Sequence, residues 1–192
     1  MKSLLQAILA FSILLIILQF FQDELVFNRT NITLEQWYRV FTGNLVHSNY
    51  PHLLLNLSGL WIAGFLFLDS MNVKTFIIST IFLCIVVGLG LYFFSLELEK
   101  YYGFSGALYG LFIFGATTII IHQQDYITGL LLYLFVGGKI IWDQFNGENS
   151  SSADLIGVPV AIDAHLYGAI GAVILSTGYY LLVKNKTHSN KL

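Results

Sequence analysis

Six apolar stretches, roughly 4–21, 52–68, 73–94, 104–121, 126–141 and 161–183, divide the chain, with polar breaks between them. A helix needs about 20 apolar residues to cross the hydrocarbon core of a bilayer. Most of these runs approach that length, so the solvent they are built for is lipid. Composition agrees: of 192 residues 56% are hydrophobic and 10% charged, and the mean hydropathy is +0.73. An ordinary soluble domain is far less apolar. The expected fold class is therefore an all-α membrane protein, a bundle of six transmembrane helices forming a single domain over 1–192. The fifth run is short, and hydropathy alone leaves five or seven spans open. The first run exceeds the usual apolar core of a signal peptide and ends in Leu18-Gln19-Phe20-Phe21-Gln22, without a small-x-small cleavage site, so it reads as an anchor.

Six spans place both termini on one side of the membrane. That side holds Lys2, Lys74, Lys184, Lys186 and Lys191 against Asp69 and Asp125. The other holds Arg29, Arg39, Lys100 and Lys139 against nine acidic residues, among them Asp143, Glu148 and Asp163. Five Lys and Arg against four is a small bias, and together with the basic tail it favours cytoplasmic termini. Cys84 is alone in the third run, which excludes an intramolecular disulfide and reads as a small buried hydrophobe. No Cys/His cluster has metal-ligand spacing, since His47 and His52 lie five apart. Neither a metal nor any other cofactor is expected, and no basic patch calls for nucleic acid.

Two breaks are long. Gln22 to Pro51 carries Trp37, Tyr38, Arg39 and Phe41, more aromatic surface than a tether needs, and reads as a structured loop lying partly in the membrane interface. Asp143 to Pro159, with Asn146, Gly147, Asn149 and the serines from Ser150 to Ser152, reads as a mobile surface loop.

The topology brings polar residues together. The second, fourth and sixth spans run in the same direction, so their N-termini share one leaflet. There lie His52 and Asn56, then Gly103-Phe104-Ser105-Gly106, then Ala164-His165. A serine becomes a useful nucleophile when a base takes its proton, so Ser105 within reach of His165 is the minimum apparatus for acyl transfer. Taken alone, Gly-x-Ser-Gly reads more readily as a small-residue helix contact. A histidine in a span is costly and marks function by default, and Gly168, one turn after His165, offers a groove for a close neighbour, continued by Gly171 and Ala172. His52 and Asn56, four apart, share a helix face and can donate to an oxyanion, as can the Ser105 amide at a helix start. Alone, Asn56 reads more readily as an interhelical hydrogen bond. Tyr109, one turn beyond Ser105, is placed to pack on the His165 ring or simply to fill space. Asp163 is two residues from His165, so the two point in different directions on a helix, and it reads as a cap or loop residue.

These motifs resemble the rhomboid family of intramembrane serine proteases. The match runs from Trp37-Tyr38-Arg39-Val40-Phe41-Thr42 through His47, His52-x-x-x-Asn56, Gly103-Phe104-Ser105-Gly106 with Tyr109, and Ala164-His165-x-x-Gly168. The resemblance implies a six-helix rhomboid-like bundle with Ser105 as nucleophile, His165 as base, His52 and Asn56 at the oxyanion, Tyr109, Gly103, Gly106 and Gly168 in support, and no aspartate completing a triad. The chain departs from the family pattern in having Tyr38-Arg39 where a Trp-Arg pair is usual, and Ala172 where a second glycine follows the histidine. Its small size, with Gly138-Lys139-Ile140-Ile141-Trp142-Asp143-Gln144 and Gly157 to His165, is similar to the rhombosortase subgroup. That similarity implies a bacterial inner-membrane enzyme with its active site towards the periplasm. Its partners would be membrane lipid and single-span substrates bearing Gly-Gly-containing C-terminal sorting tails, with cleavage ending either in hydrolysis or in transfer onto a lipid-derived acceptor. A catalytically inactive rhomboid-like protein that binds membrane segments is the alternative.

Overall fold

The structure, a computed structural model, describes residues 2–146 and 151–189. Gly147, Glu148, Asn149, Ser150 and Lys191, which entered the loop and charge expectations, lie outside the described residues.

The chain opens with α1 (Lys2–Leu18), which passes through a single turn of 3-10 helix (Gln19–Phe21) into the short α2 (Gln22–Leu25). A strand β1 (Phe27–Asn28) and two short helices, α3 (Arg29–Thr33) and α4 (Tyr38–Thr42), lead to α5 (Tyr50–Leu66). Then come α6 (Val73–Phe94), β2 (Lys100–Tyr101), α7 (Ser105–Gln123), α8 (Tyr126–Asn146), α9 (Ser151–Ile156) and α10 (Ile162–Ser189). Among the described residues five helical stretches are long and apolar enough to cross a membrane: Ser3–Leu25, Val73–Phe94, Ser105–Gln123, Tyr126–Asn146 and Ile162–Asn185. The second expected span, 52–68, is α5. Its 17 residues fall short of the length for a straight crossing.

Helix α7 is the centre of the bundle: 61% of its span is buried, against 17% of Ile162–Asn185. It packs against α5, α6, α8 and α10. The outward faces carry Leu54, Phe65, Ile81, Phe135 and Leu182, all exposed, as expected where lipid replaces water. Helix starts follow local chemistry. Asn49 caps α5 by accepting from the His52 N–H at 2.9 Å, with Pro51 in the first turn, and Asn72 caps α6 by accepting from Thr75 N–H at 2.9 Å.

The break from Gln22 to Pro51 is structured. Strands β1 and β2 pair antiparallel, Phe27 with Tyr101 and Asn28 with Lys100. Arg29 then reaches the end of α6, where its guanidinium donates to the carbonyls of Leu91, Tyr92, Ser95 and Leu98 at 2.8 to 3.0 Å. Those carbonyls include orphans of a helix C-terminus, the place where a cation and its donors are most useful. Arg39 is also buried and donates to the carbonyls of Asp23 and Val26. Trp37 is half exposed and meets Tyr92 edge-on at 5.0 Å. Cys84 is fully buried.

The structure corrects two boundaries. The fifth run does not end at Ile141: α8 continues to Asn146 and carries Asp143 on its inner side. Lys139, one turn earlier, donates to the Asp143 carboxylate, and this i,i+4 ion pair makes the acid tolerable in the helix. Nor is the stretch 143–159 a loop throughout. It contains α9, which buries Ala153 and Ile156 in a small cluster with Val160. The Ile156 carbonyl accepts from the Asn49 side chain at 2.7 Å, tying α9 to the start of α5.

Candidate active site

Ser105 is the first residue of α7, and the turn before it is built on glycine. Gly103 has φ +121°, a region that L side chains rarely adopt, and a Cβ there would sit 2.7 Å from the His52 ring. The Gly103 N–H donates to the Gly43 carbonyl at 3.2 Å, and its carbonyl accepts from the Tyr101 hydroxyl at 2.6 Å. Burial pushes the Tyr101 phenol up from its ordinary value, which keeps it protonated and donating. The Phe104 N–H points at His47 Nε2, 3.4 Å away. His47 is itself clamped by Gln19, whose side-chain amide donates to the His47 carbonyl at 2.7 Å and accepts from its N–H at 2.8 Å. The 3-10 turn that follows α1 thus reaches the serine turn through His47.

His47 is fully buried against His52, with ring centroids 5.1 Å apart. Burial, and then the neighbouring His52, push its imidazole from the ordinary 6.5 down to about 3. The folded protein holds this ring neutral while the unfolded chain takes up a proton below about pH 6.5. The associated stability is therefore complete above pH 6.5 and lost as pH falls towards 3. Thermal unfolding midpoints should fall across that window, and fall less steeply for His47→Gln. Equal slopes for the two proteins would count against the assignment.

His165 lies in the first turn of α10 and is 3% exposed. Its Nε2 is 3.1 Å from Ser105 Oγ. The Tyr109 ring stacks on the imidazole with centroids 4.1 Å apart and planes 8° from parallel, which fixes the plane of the ring. The two helices approach closely because they lack side chains where they cross. A Cβ on Gly168 would overlap the Gly106 carbonyl, a Cβ on Gly106 would sit 2.8 Å from the Ala164 carbonyl oxygen, and one on Gly110 would sit 2.7 Å from that of Gly168.

His52 and Asn56 come from the first two turns of α5 and line the same cavity as Ser105 and His165. His52 Nδ1 is 3.1 Å from Ser48 Oγ, which leaves Nε2 for the cavity side. Asn56 Nδ2 donates one hydrogen to the His52 carbonyl at 2.9 Å and keeps a second. The cavity encloses about 520 Å³ between α5, α7 and α8 and is largely apolar, with Leu55, Ile62, Leu132 and Phe135 in its walls. Such a volume is in the range of small-ligand sites. Among the described residues no group of three or more His, Cys, Asp or Glu could hold a metal ion.

Asp163 turns away from the histidine. Its carboxylate accepts from Ser95 Oγ at 2.8 Å, and that hydroxyl also lies 3.0 Å from the Tyr167 hydroxyl. The carboxylate that does approach His165 is Asp143, whose Oδ2 lies 3.6 Å from Nδ1. In the sequence Asp143 reads as the start of a loop and has no assigned role at the site, whereas the structure places it in α8. The signal that could have found it is Lys139 at i−4, a spacing that continues a helix past an acidic residue.

Fold and site together define a multi-pass α-helical membrane protein with a serine and a histidine enclosed beside an apolar cavity. A family model described as the Rhomboid domain matches residues 34–182, and the chain belongs to the rhomboid family. That family generally comprises intramembrane serine proteases. No curated protein matches the chain.

Proposed function

We propose that the protein is an intramembrane serine endopeptidase in which Ser105 is the nucleophile and His165 the general base. The observation that carries this reading is the 3.1 Å approach of Ser105 Oγ to His165 Nε2 at the edge of the apolar cavity. In the reaction, Nε2 takes the hydroxyl proton as Oγ attacks the scissile carbonyl, and the protonated imidazole then delivers that proton to the leaving amine. The carbonyl oxygen, now negative, is received by the Ser105 amide at the start of α7 and by the His52 and Asn56 side chains, each such donor typically worth about 3 to 4 kcal/mol in the transition state. Tyr109 keeps the imidazole in plane, and Gly103, Gly106 and Gly168 hold the helices at reacting distance.

The substrate is a single-span membrane segment that reaches the cavity from the surrounding lipid. The rhombosortase-like features make it a Gly-Gly-containing C-terminal sorting tail on an exported bacterial protein. In this reading α5 is the sixth crossing helix, the termini are cytoplasmic, and cleavage occurs near the periplasmic face of the inner membrane. The acyl-enzyme is resolved by water or by an amine-bearing lipid. The test is to reconstitute the protein in liposomes with such a tail fused to a reporter, and to weigh the new C-terminus by mass spectrometry. A bare carboxylate indicates hydrolysis and an added amine mass indicates transfer. A tail left intact by a protein that also takes no fluorophosphonate overturns the proposal and favours an inactive segment-binding protein.

A further inference from the structure

We infer that Asp143 is a positioning residue for His165: it selects the imidazole tautomer that leaves Nε2 free to accept the Ser105 proton. The inference rests on the proposed roles of Ser105 and His165. Asp143 is 1% exposed and lies in the last turns of α8, on the far side of the imidazole from Ser105. Its Oδ2 is 3.6 Å from His165 Nδ1, and among the described residues neither atom has a hydrogen-bond partner. A formed hydrogen bond is shorter than this, but catalytic contacts commonly tighten only when substrate is bound. The other oxygen, Oδ1, is held by the Lys139 ammonium. An i,i+4 ion pair alone accounts for Oδ1. It does not account for a second oxygen directed at the only nitrogen of His165 that Ser105 does not use.

A carboxylate can only accept, so the nitrogen facing it carries the ring hydrogen. With Nδ1 protonated, the Nε2 lone pair faces Ser105 Oγ, the arrangement a general base requires. Stacking on Tyr109 fixes the plane of the ring but not which nitrogen is protonated. That choice falls to Asp143, with Lys139 fixing the carboxylate's orientation.

Lys139 makes the test specific. In Asp143→Asn the ammonium keeps the amide oxygen in the Oδ1 place, so the NH2 group occupies the Oδ2 place and donates to Nδ1. The ring hydrogen then moves to Nε2 and points at Ser105, and the base is lost. Asp143→Leu leaves the ring free to adopt either tautomer. The rate of Ser105 acylation by a fluorophosphonate should therefore fall about a hundredfold or more in Asp143→Asn, and less in Asp143→Leu. Adding Lys139→Met to Asp143→Asn lets the amide turn its oxygen to Nδ1–H and should restore at least about tenfold. A merely structural role predicts the reverse order, with the isosteric Asn better tolerated than Leu.

A wild-type protein that takes no probe defeats the protease reading itself. A labelled wild type with Asp143→Asn within about threefold of it, or faster than Asp143→Leu, overturns the positioning role alone. Should the variants fail to fold, 15N-histidine NMR of the wild type decides, with His165 assigned from His165→Gln. An Nδ1–H tautomer is expected, and an Nε2–H tautomer overturns the inference.

Discussion

Alanine at Ser105 is expected to reduce fluorophosphonate labelling to background and to abolish cleavage of a membrane-segment substrate, a loss of about 10⁴-fold or more. The Ser105 hydroxyl oxygen lies 3.1 Å from His165 Nε2 at the edge of the cavity, and no other side chain is proposed as the nucleophile. His165→Ala should lose activity to a similar degree, and the double variant should be no worse than either single one, because the two side chains act as one unit. Folding should survive the Ser105 change. The side chain is only partly buried, and removing one hydroxyl costs about 1 kcal/mol or less. Undiminished cleavage by a folded Ser105→Ala protein would end the assignment of the nucleophile.

The second large effect lies away from any polar atom. Gly168→Val places a branched side chain against the Gly106 carbonyl, which is backbone and cannot swing aside. Relief requires α10 to move outward from α7, and His165 moves with it. Overpacking of this kind costs about 1 to 3 kcal/mol in stability, while a misplacement of about 1 Å at the reacting atoms costs roughly a hundredfold in rate. Labelling should therefore fall by about that factor even in detergent conditions where the variant remains folded. Gly178→Val is the control: a Cβ at Gly178 meets nothing within 4 Å, so neither labelling nor the unfolding midpoint should change. Equal behaviour of the two valine variants would show that the helix contact does not set the site.

The candidate site was legible where chemistry and topology coincide. Ser105, His165, His52 and Asn56 each sit in the first two turns of a helix and line one cavity, and the polar residues that open successive apolar runs are visible in the sequence. Tyr109, one helical turn from Ser105, fits plain packing equally well in the sequence, and only the structure shows its ring stacked on the imidazole. Asp143 was not legible, because hydropathy falls at the polar residue whether or not the helix ends there. Only the pairing with Lys139 separates the two cases. The span counted from 52 to 68 also shows the limit of hydropathy, for α5 is two residues shifted and short.

Other features depended on partners distant in the chain. Nothing near Arg29 indicates that four carbonyls between Leu91 and Leu98 will receive its guanidinium, since an arginine in an interfacial loop satisfies the same local pattern. Gln19 lies at the end of an apolar run, where a polar residue is unremarked, yet it holds both backbone groups of His47. Helix α9 was hidden by polar composition, and it forms because Ala153 and Ile156 find Val160 to pack against. Asp163 illustrates the converse. It is adjacent to the histidine in sequence but belongs to a hydrogen-bonded group at the end of α6.

The close crossing of α7 and α10 at Gly106, Gly110 and Gly168 bears on how this protein tolerates drift. In lipid, helices gain little by hiding apolar surface from one another, and fit between backbones decides their separation. At these three positions the smallest chemical change available, hydrogen to methyl, is among the most damaging. On the lipid-facing positions of the same helices a leucine can become a phenylalanine at little cost. Ranking substitutions by side-chain similarity would thus invert the order of harm along α10. The residues with the least to compare between relatives are those on which the reacting distance depends.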